Sequence, residues 1–162
     1  MYFSKFNKLQ YTLDNGKSYQ IVTDILTRVA FRDNIVNNIA LYDEYDVQDG
    51  QTPEILAAQY YGNSTYHWII LLTNQIIDPV LDWPMSQMQL ADYCSSKYTN
   101  IYGIHHYEDS DGIVVNVDTP FATPVSNYDY ESTENEKKRR IKLIKKAIIA
   151  EVVSEFSKLI KQ

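Results

Sequence analysis

Leu41 to Pro84, LYDEYDVQDGQTPEILAAQYYGNSTYHWIILLTNQIIDPVLDWP, constrains the fold of this chain more than any other stretch. A strand signal, two helices with start and stop signals, and an exit rich in aspartate and proline follow one another with almost no slack. Tyr45 and Val47 alternate with charged neighbours, as a half-buried strand requires, and Asp49-Gly50 supplies the positive-φ turn that ends it. Thr52 can then accept from the free N–H groups of a helix that has Pro53 at its first position and Glu54 near the positive end of its dipole. That helix is predicted over 53–61, burying Ile55, Leu56 and Tyr60, with Gly62 taking the left-handed conformation at its end. Ser64 is expected to cap a second helix over 65–74, apolar on nearly every side and therefore the most buried element. The expected core of this module is Tyr45, Val47, Ile55, Tyr60, Trp68 and Leu72.

Asp78-Pro79 and Trp83-Pro84 break any helix, and Asp82 offers an Asx-type turn that holds the exit loop in one shape. Asp78, Asp82 and Trp83 could form a recognition surface; alternatively Trp83 lids the module. Ser86 caps a third helix over 87–98, with Met88, Leu90, Ala91 and Cys94 facing inward. Residues 107–117 read as a hairpin turning at Asp111-Gly112, and its second strand is the expected partner that closes the sheet started by the Leu41 strand. Residues 78–102 are then an insertion, and 119–130, with Pro120 and Pro124, a loop.

Upstream, Phe3, Phe6, Leu9, Tyr11 and Leu13 lead to Asp14-Asn15-Gly16-Lys17, a turn that can fold YTL and YQIVT into a hairpin needing something to pack on. Residues 23–29 fit a short helix or a strand, and Asn34, Asn37 and Asn38 mark a loop. Downstream, Arg140 to Ile144 alternates basic and apolar residues, which favours a short strand, although a continuous helix also fits. Ile149, Val152, Val153, Phe156, Leu159 and Ile160 then form one apolar stripe on a helix. Three segments follow: an arm over 1–40, a module over 41–118, and a loop, strand and helix over 119–162.

Charge is unevenly distributed. The net −6 combines +7 after Glu136, where nine of the fifteen Lys and Arg residues face only Glu151 and Glu155, with −13 in the remainder. The tail therefore favours an acidic surface, its own or another protein's. Nucleic acid is not expected, because the basic run has no interleaved stacking aromatics and the rest of the chain repels phosphate. The longest apolar run, Trp68 to Leu72, is far below the ~20 residues that span a bilayer, and MYFSKFNKLQ lacks a secretory core, so no membrane association is expected. Fourteen tyrosines suit a chain that makes protein interfaces, and several are equally expected simply to rim the core.

No phosphate-binding glycine loop, HExxH, paired cysteines or GxSxG occurs. The lone Cys94 reads as a small hydrophobe. His67 has no second ligand at helical spacing, and His105-His106, as neighbours on a strand, should point to opposite faces and not share an ion. Asp43, Glu44, Asp46 and Asp49 lack EF-hand spacing. The expectation is a chain without catalytic, cofactor-binding or metal-binding residues, and not an enzyme.

The order strand, short helix, short helix resembles the LysM module, through Tyr45, Val47, Gly50, Thr52, Ile55, Ala58, Tyr60 and Asn74. A sugar-binding LysM would continue into a Pro-Gly turn and a closing strand, where this chain reads IIDPVLDWPMS. The combination of DGQTPE, STYHWIILL and DPVLDWPMS, preceded by VTDILTRVAF and followed by ENEKKRRIKLI, resembles instead the LysM-like baseplate wedge proteins of contractile-tailed bacteriophages. That resemblance implies an α+β fold: a small LysM-like module with an N-terminal hairpin arm and a C-terminal strand plus amphipathic helix. It also implies a structural virion component that clamps the wedge core and joins neighbouring wedges in the tail baseplate, assembled in the host cytoplasm. Its partners would be other wedge proteins, with binding of peptidoglycan or chitin as the alternative. The residues expected to make the interface are Asp49, Gly50, Thr52, Asp78, Asp82 and Trp83, together with Ile149, Val153, Phe156 and Ile160, which should stay partly exposed in the free chain.

Overall fold

The computed structural model describes residues 5–27 and 38–161 of this α+β protein. The expectations for Phe3, for 28–29 and for Asn34 and Asn37 lie outside the described residues. The chain divides into two compact units, one of Met1–Glu44, Thr52–Ile77 and Lys142–Gln162, the other of Tyr45–Gln51 and Asp78–Ile141.

In the first unit, strands β1 (Lys8–Tyr11) and β2 (Gln20–Thr23) form an antiparallel hairpin with Leu9 opposite Val22. Asn15 and Gly16 take positive φ in the connecting loop, as the Asn-Gly signal requires. Asp14 holds that loop by accepting from the Ser18 amide at 2.8 Å and hydroxyl at 2.7 Å. These bonds and one from Thr12 pull its carboxyl down to about 2. Leu9, Tyr11, Leu13, Tyr19 and Ile21 remain exposed.

Strand β3 (Tyr42–Asp46) pairs with β7 (Arg140–Ile144). The Lys145 amide donates to the Leu41 carbonyl at 3.0 Å and the Val47 amide to the Arg139 carbonyl at 2.9 Å, which makes the pair antiparallel. This corrects the expectation that the second strand of the 107–117 hairpin closes this sheet. Both candidates alternate suitably, and alternation says which face a residue takes but not which strand it will meet.

Helix α1 (Pro53–Tyr61) has the predicted limits: the Thr52 hydroxyl accepts from the Ile55 amide at 3.3 Å, and Gly62 closes the helix at φ 78°. Its inward stripe is Pro53, Leu56, Ala57 and the half-buried Tyr60, an i, i+3, i+4, i+7 set that leaves Ile55 off the face and exposed, contrary to expectation. The next cap is Asn63, not Ser64; its side chain accepts from the Thr65 amide at 2.9 Å and starts a 3-10 turn, Ser64–Tyr66, that runs into helix α2 (His67–Thr73). Trp68, Ile69, Ile70 and Thr73 of α2 are buried and Leu72 is half-buried. Its end is a Schellman closure, Ile76 N–H to Leu71 carbonyl at 2.9 Å and Gln75 to Leu72 at 3.2 Å, with Gln75 in the left-handed position usually given to glycine.

The alternating Arg140–Ile144 segment is a strand, and a 3-10 turn then leads into helix α5 (Ile149–Leu159). Its stripe closes the core of this unit: Ile149, Phe156 and Ile160 cluster with Phe6, Tyr42, Trp68, Ile69 and Ile144. The Phe156 ring centroid lies 4.3 Å from that of Trp68. Ile149, Phe156 and Ile160 are therefore buried in the free chain, which corrects the expectation of partial exposure; Val153 is half-buried. Burying each of these large side chains stabilises the fold by ~1.5–3 kcal/mol, a strong drive for the helix to fold onto its own chain.

In the second unit, helix α3 (Gln87–Lys97) opens with a reciprocal capping box between Ser86 and Gln89. Leu90 and Cys94 face inward, Ala91 is half-buried, and Met88, against expectation, is exposed because it lies off the 90/94 face. Strands β4 (Ile104–Glu108), β5 (Val114–Val115) and β6 (Thr123–Ser126) form an antiparallel sheet in the order β5-β4-β6. The 107–117 hairpin is present, turning through Gly112 at φ 75°. The stretch read as a loop over 119–130 instead supplies β6 and the start of helix α4 (Asn127–Lys137), capped by Ser126.

Candidate functional site

In the second unit the turn after β3 is held by its own side chains. Gln51 Oε1 accepts from the Gln48 amide and from the Tyr45 hydroxyl, each at 3.1 Å, and Gly50 takes φ 69°. Asp49 Oδ1 accepts from the Gln87 amide at 2.9 Å, placing a carboxylate on the free N–H groups at the start of α3. The exit loop is built the same way: Asp78 Oδ1 accepts from the Val80 amide at 2.9 Å, and the Asp78 amide donates to Asp82 Oδ2 at 3.1 Å. The Asx-type geometry thus comes from Asp78, and Asp82 reaches back to close the loop.

Trp83 joins these two segments. Its indole N–H donates to the Gln51 carbonyl at 2.8 Å, and only 6% of the residue is exposed. Of the two readings of Trp83, the geometry is that of a lid. Asp49, Gly50, Asp78 and Asp82 are exposed positions of the two segments it joins, while Thr52 lies in the first unit with its hydroxyl engaged as a cap. The helix α5 candidates also lie in the first unit, and three of the four are buried.

Val80 and Leu81 were missed by sequence reasoning. They are 77% and 55% exposed, on a loop fixed by two aspartates. An apolar pair between Asx-forming residues in a segment too short for a helix is the signal that could have found them. Lys138 Nζ donates to the Leu81 carbonyl at 2.7 Å and anchors the loop further.

Behind these loops, the second unit is fastened by polar contacts. The buried Asn135 side chain accepts from the Met85 amide at 2.8 Å and donates to the Met85 carbonyl at 2.9 Å, satisfying both backbone groups at once. Arg139 Nε donates to the Val47 carbonyl at 2.8 Å. Glu131 is buried between α3 and α4, where it accepts from Lys97 Nζ at 2.6 Å and the Tyr98 hydroxyl at 2.7 Å. Burial pushes its carboxyl up, but these bonds and the lysine charge outweigh burial and depress it; the same contact raises Lys97. Burial pushes the Cys94 thiol up, away from the reactive thiolate form.

His105 and His106 depart from the expected opposite orientation. A register irregularity between Ile104 and His106 in the β4–β6 pairing brings their Nδ1 atoms to 2.8 Å. His106 Nε2 lies 2.8 Å from Glu108, and His105 stacks on Tyr130 at 3.9 Å. His67 Nδ1 lies 3.0 Å from the Ser64 carbonyl. Among the described residues no group of three or more His, Cys, Asp or Glu could hold a metal ion, and no helix is long and apolar enough to cross a membrane.

What the arrangement offers is therefore a set of rigid, shaped loops carrying exposed apolar residues, a geometry suited to protein contact. Comparison with known proteins agrees in kind. The chain is 24% identical to the baseplate wedge protein gp53 of Enterobacteria phage T4, in an alignment that takes in 100% of this chain and 97% of that one. Residues 1–121 match the family model described as base plate wedge protein 53, and the chain belongs to that family.

Proposed function

We propose that this chain is a non-enzymatic clamp of the tail baseplate: it holds the wedge core and joins neighbouring wedges, is assembled in the host cytoplasm, and binds other wedge proteins rather than nucleic acid or membrane. The observation that carries this reading is the end-to-end match to a relative named as a baseplate wedge protein. The mechanism is associative. The exit loop presents Val80 and Leu81 on a backbone already fixed by Asp78 and Asp82, so little conformational entropy is lost when a partner covers them. The exposed apolar side chains of the β1–β2 hairpin suit an arm that orders on a neighbouring chain. In this mechanism Asp49, Gly50 and the exit loop form the docking side of a LysM-like module.

Co-expression with the remaining wedge proteins of the same virus tests it. With the chain present, wedges should join into rings that contain it; without it they should remain separate. Failure of the chain to enter any wedge contradicts the reading. Saturable chemical-shift changes at 49–53 and 75–84 on titration with chito-oligosaccharides would support glycan binding instead.

A further inference from the structure

Phe121 places a bulky ring in a backbone conformation that large side chains seldom adopt. Its backbone is left-handed, at φ 64°, and it is 94% exposed. The Ala122 amide donates to the Thr119 carbonyl at 3.1 Å, so Thr119-Pro120-Phe121-Ala122 is a turn with proline at its second position and positive φ at its third. That third position favours glycine or asparagine, because a Cβ there crowds the following carbonyl. The strain gains no burial in this chain: the ring lies in solvent. Backbone strain that the fold itself does not use concentrates at functional positions.

The register brings further exposed apolar chain to the same end of the sheet, since Val114 and Thr123, two residues after Phe121, both lie opposite Glu108. Residues 116–122 carry the chain from β5 on one edge of the sheet to β6 on the other, and Ile113, Val114 and Val117 nearby are also exposed. The whole stretch from Tyr98 to Glu136 contains eight acidic residues and not one lysine or arginine. Asp111 and Asp118 flank the apolar group, and among the described residues neither makes an ion pair. An apolar centre with an unneutralised acidic rim matches a partner of opposite rim charge.

We propose that this edge docks on another wedge protein, with the Phe121 ring inserted into an apolar pocket bordered by lysine or arginine. The inference rests on the wedge reading above and assigns a surface and a partner chemistry to it. A second copy of this chain is the poorer occupant, since its basic run is engaged at home. Lys138 donates to Leu81, Arg139 to Val47 and Glu136, Lys145 to Ala40, and Lys137 pairs with Glu134.

The test uses the full chain co-expressed with the other wedge proteins of the same virus, comparing the unsubstituted protein, Phe121→Asn, and Asp111→Lys with Asp118→Lys. Asparagine tolerates the left-handed turn, so Phe121→Asn should melt at the same temperature or higher while its incorporation into wedges falls at least tenfold. The charge-reversed variant should fold normally and show a similar loss. Incorporation of Phe121→Asn within twofold of the unsubstituted chain overturns the proposal and leaves the wedge reading intact. Exclusion of the unsubstituted chain overturns both. Micromolar self-association that Phe121→Asn abolishes would make a second copy the occupant, and so overturn the partner assigned here.

Discussion

The two units hold themselves together by different means. The first has a contiguous cluster of Trp68, Phe156, Phe6, Ile69, Ile144, Ile149 and Ile160. In the second, Val47, Trp83, Leu90, Cys94 and Ile141 are buried beside Gln51, Glu131 and Asn135, each polar group finding a partner. The contrast teaches which changes each region tolerates. A cluster of apolar side chains loses stability roughly in proportion to the volume removed, whereas a polar fastening fails when a single partner is deleted and leaves a buried group unsatisfied.

The largest effect should come from the first unit. Trp68→Ala removes the ring against which Phe156 rests and should destabilise the protein by ~3–5 kcal/mol in denaturant titration. A loss below ~1 kcal/mol would break the contrast. Next, Asn135→Ala leaves both polar groups of the Met85 backbone without partners and should cost about 2 kcal/mol. Its counterpart in the first unit, Asn74, makes the same reciprocal pair with the backbone of Lys142 at 2.8 Å in each direction, but Lys142 is exposed and water can replace the side chain. Asn74→Ala should therefore cost less than ~1 kcal/mol. Equal losses at the two asparagines would show that burial does not distinguish them.

Glu131 adds a pH dependence. Its carboxyl is depressed in the folded chain, so its contribution is complete above the ordinary value of 4.5 and disappears as the pH falls through the depressed one. Glu131→Gln should cost about 1 kcal/mol at neutral pH and flatten the fall in stability below about pH 4.5. An unchanged acid limb in the variant would assign that limb to other carboxylates. The smallest effect, and of opposite sign, is Phe121→Gly: relief of the left-handed strain should stabilise the isolated chain by up to ~1 kcal/mol, offset in part by glycine's extra chain entropy.

These differences follow what could be read in the chain beforehand. Helix α1 was legible to the residue because its limits rest on Thr52, Pro53 and Gly62, each acting within a turn of itself. Helix α4 was not, since its inward positions include Glu131 and Asn135, and a face built from polar side chains leaves no apolar periodicity to count. Strand β6, Thr-Pro-Val-Ser, carries a proline that argues against a strand except beside a free edge, and it lies at an edge of its sheet. The partner of β3 lay almost a hundred residues away, beyond any local pattern. At the candidate site, a turn built on aspartate was legible, but it was read at Asp82, whereas Asp78 makes it. For Trp83 a lid was one of the two readings open, but its partner was not legible, because the Gln51 carbonyl is a backbone group that composition does not mark.

In the assembly proposed above, the preformed loops and the N-terminal arm meet the partners, while the C-terminal helix belongs to the chain's own core. Hydrogen exchange on the free chain and on the assembled wedge tests it most directly. Amides of 152–160 should exchange slowly in the free chain and change little on assembly, while new protection appears at 8–23, 78–83 and 116–122. Fast exchange across 152–160 in the free chain, with protection gained there only in the wedge, would contradict it.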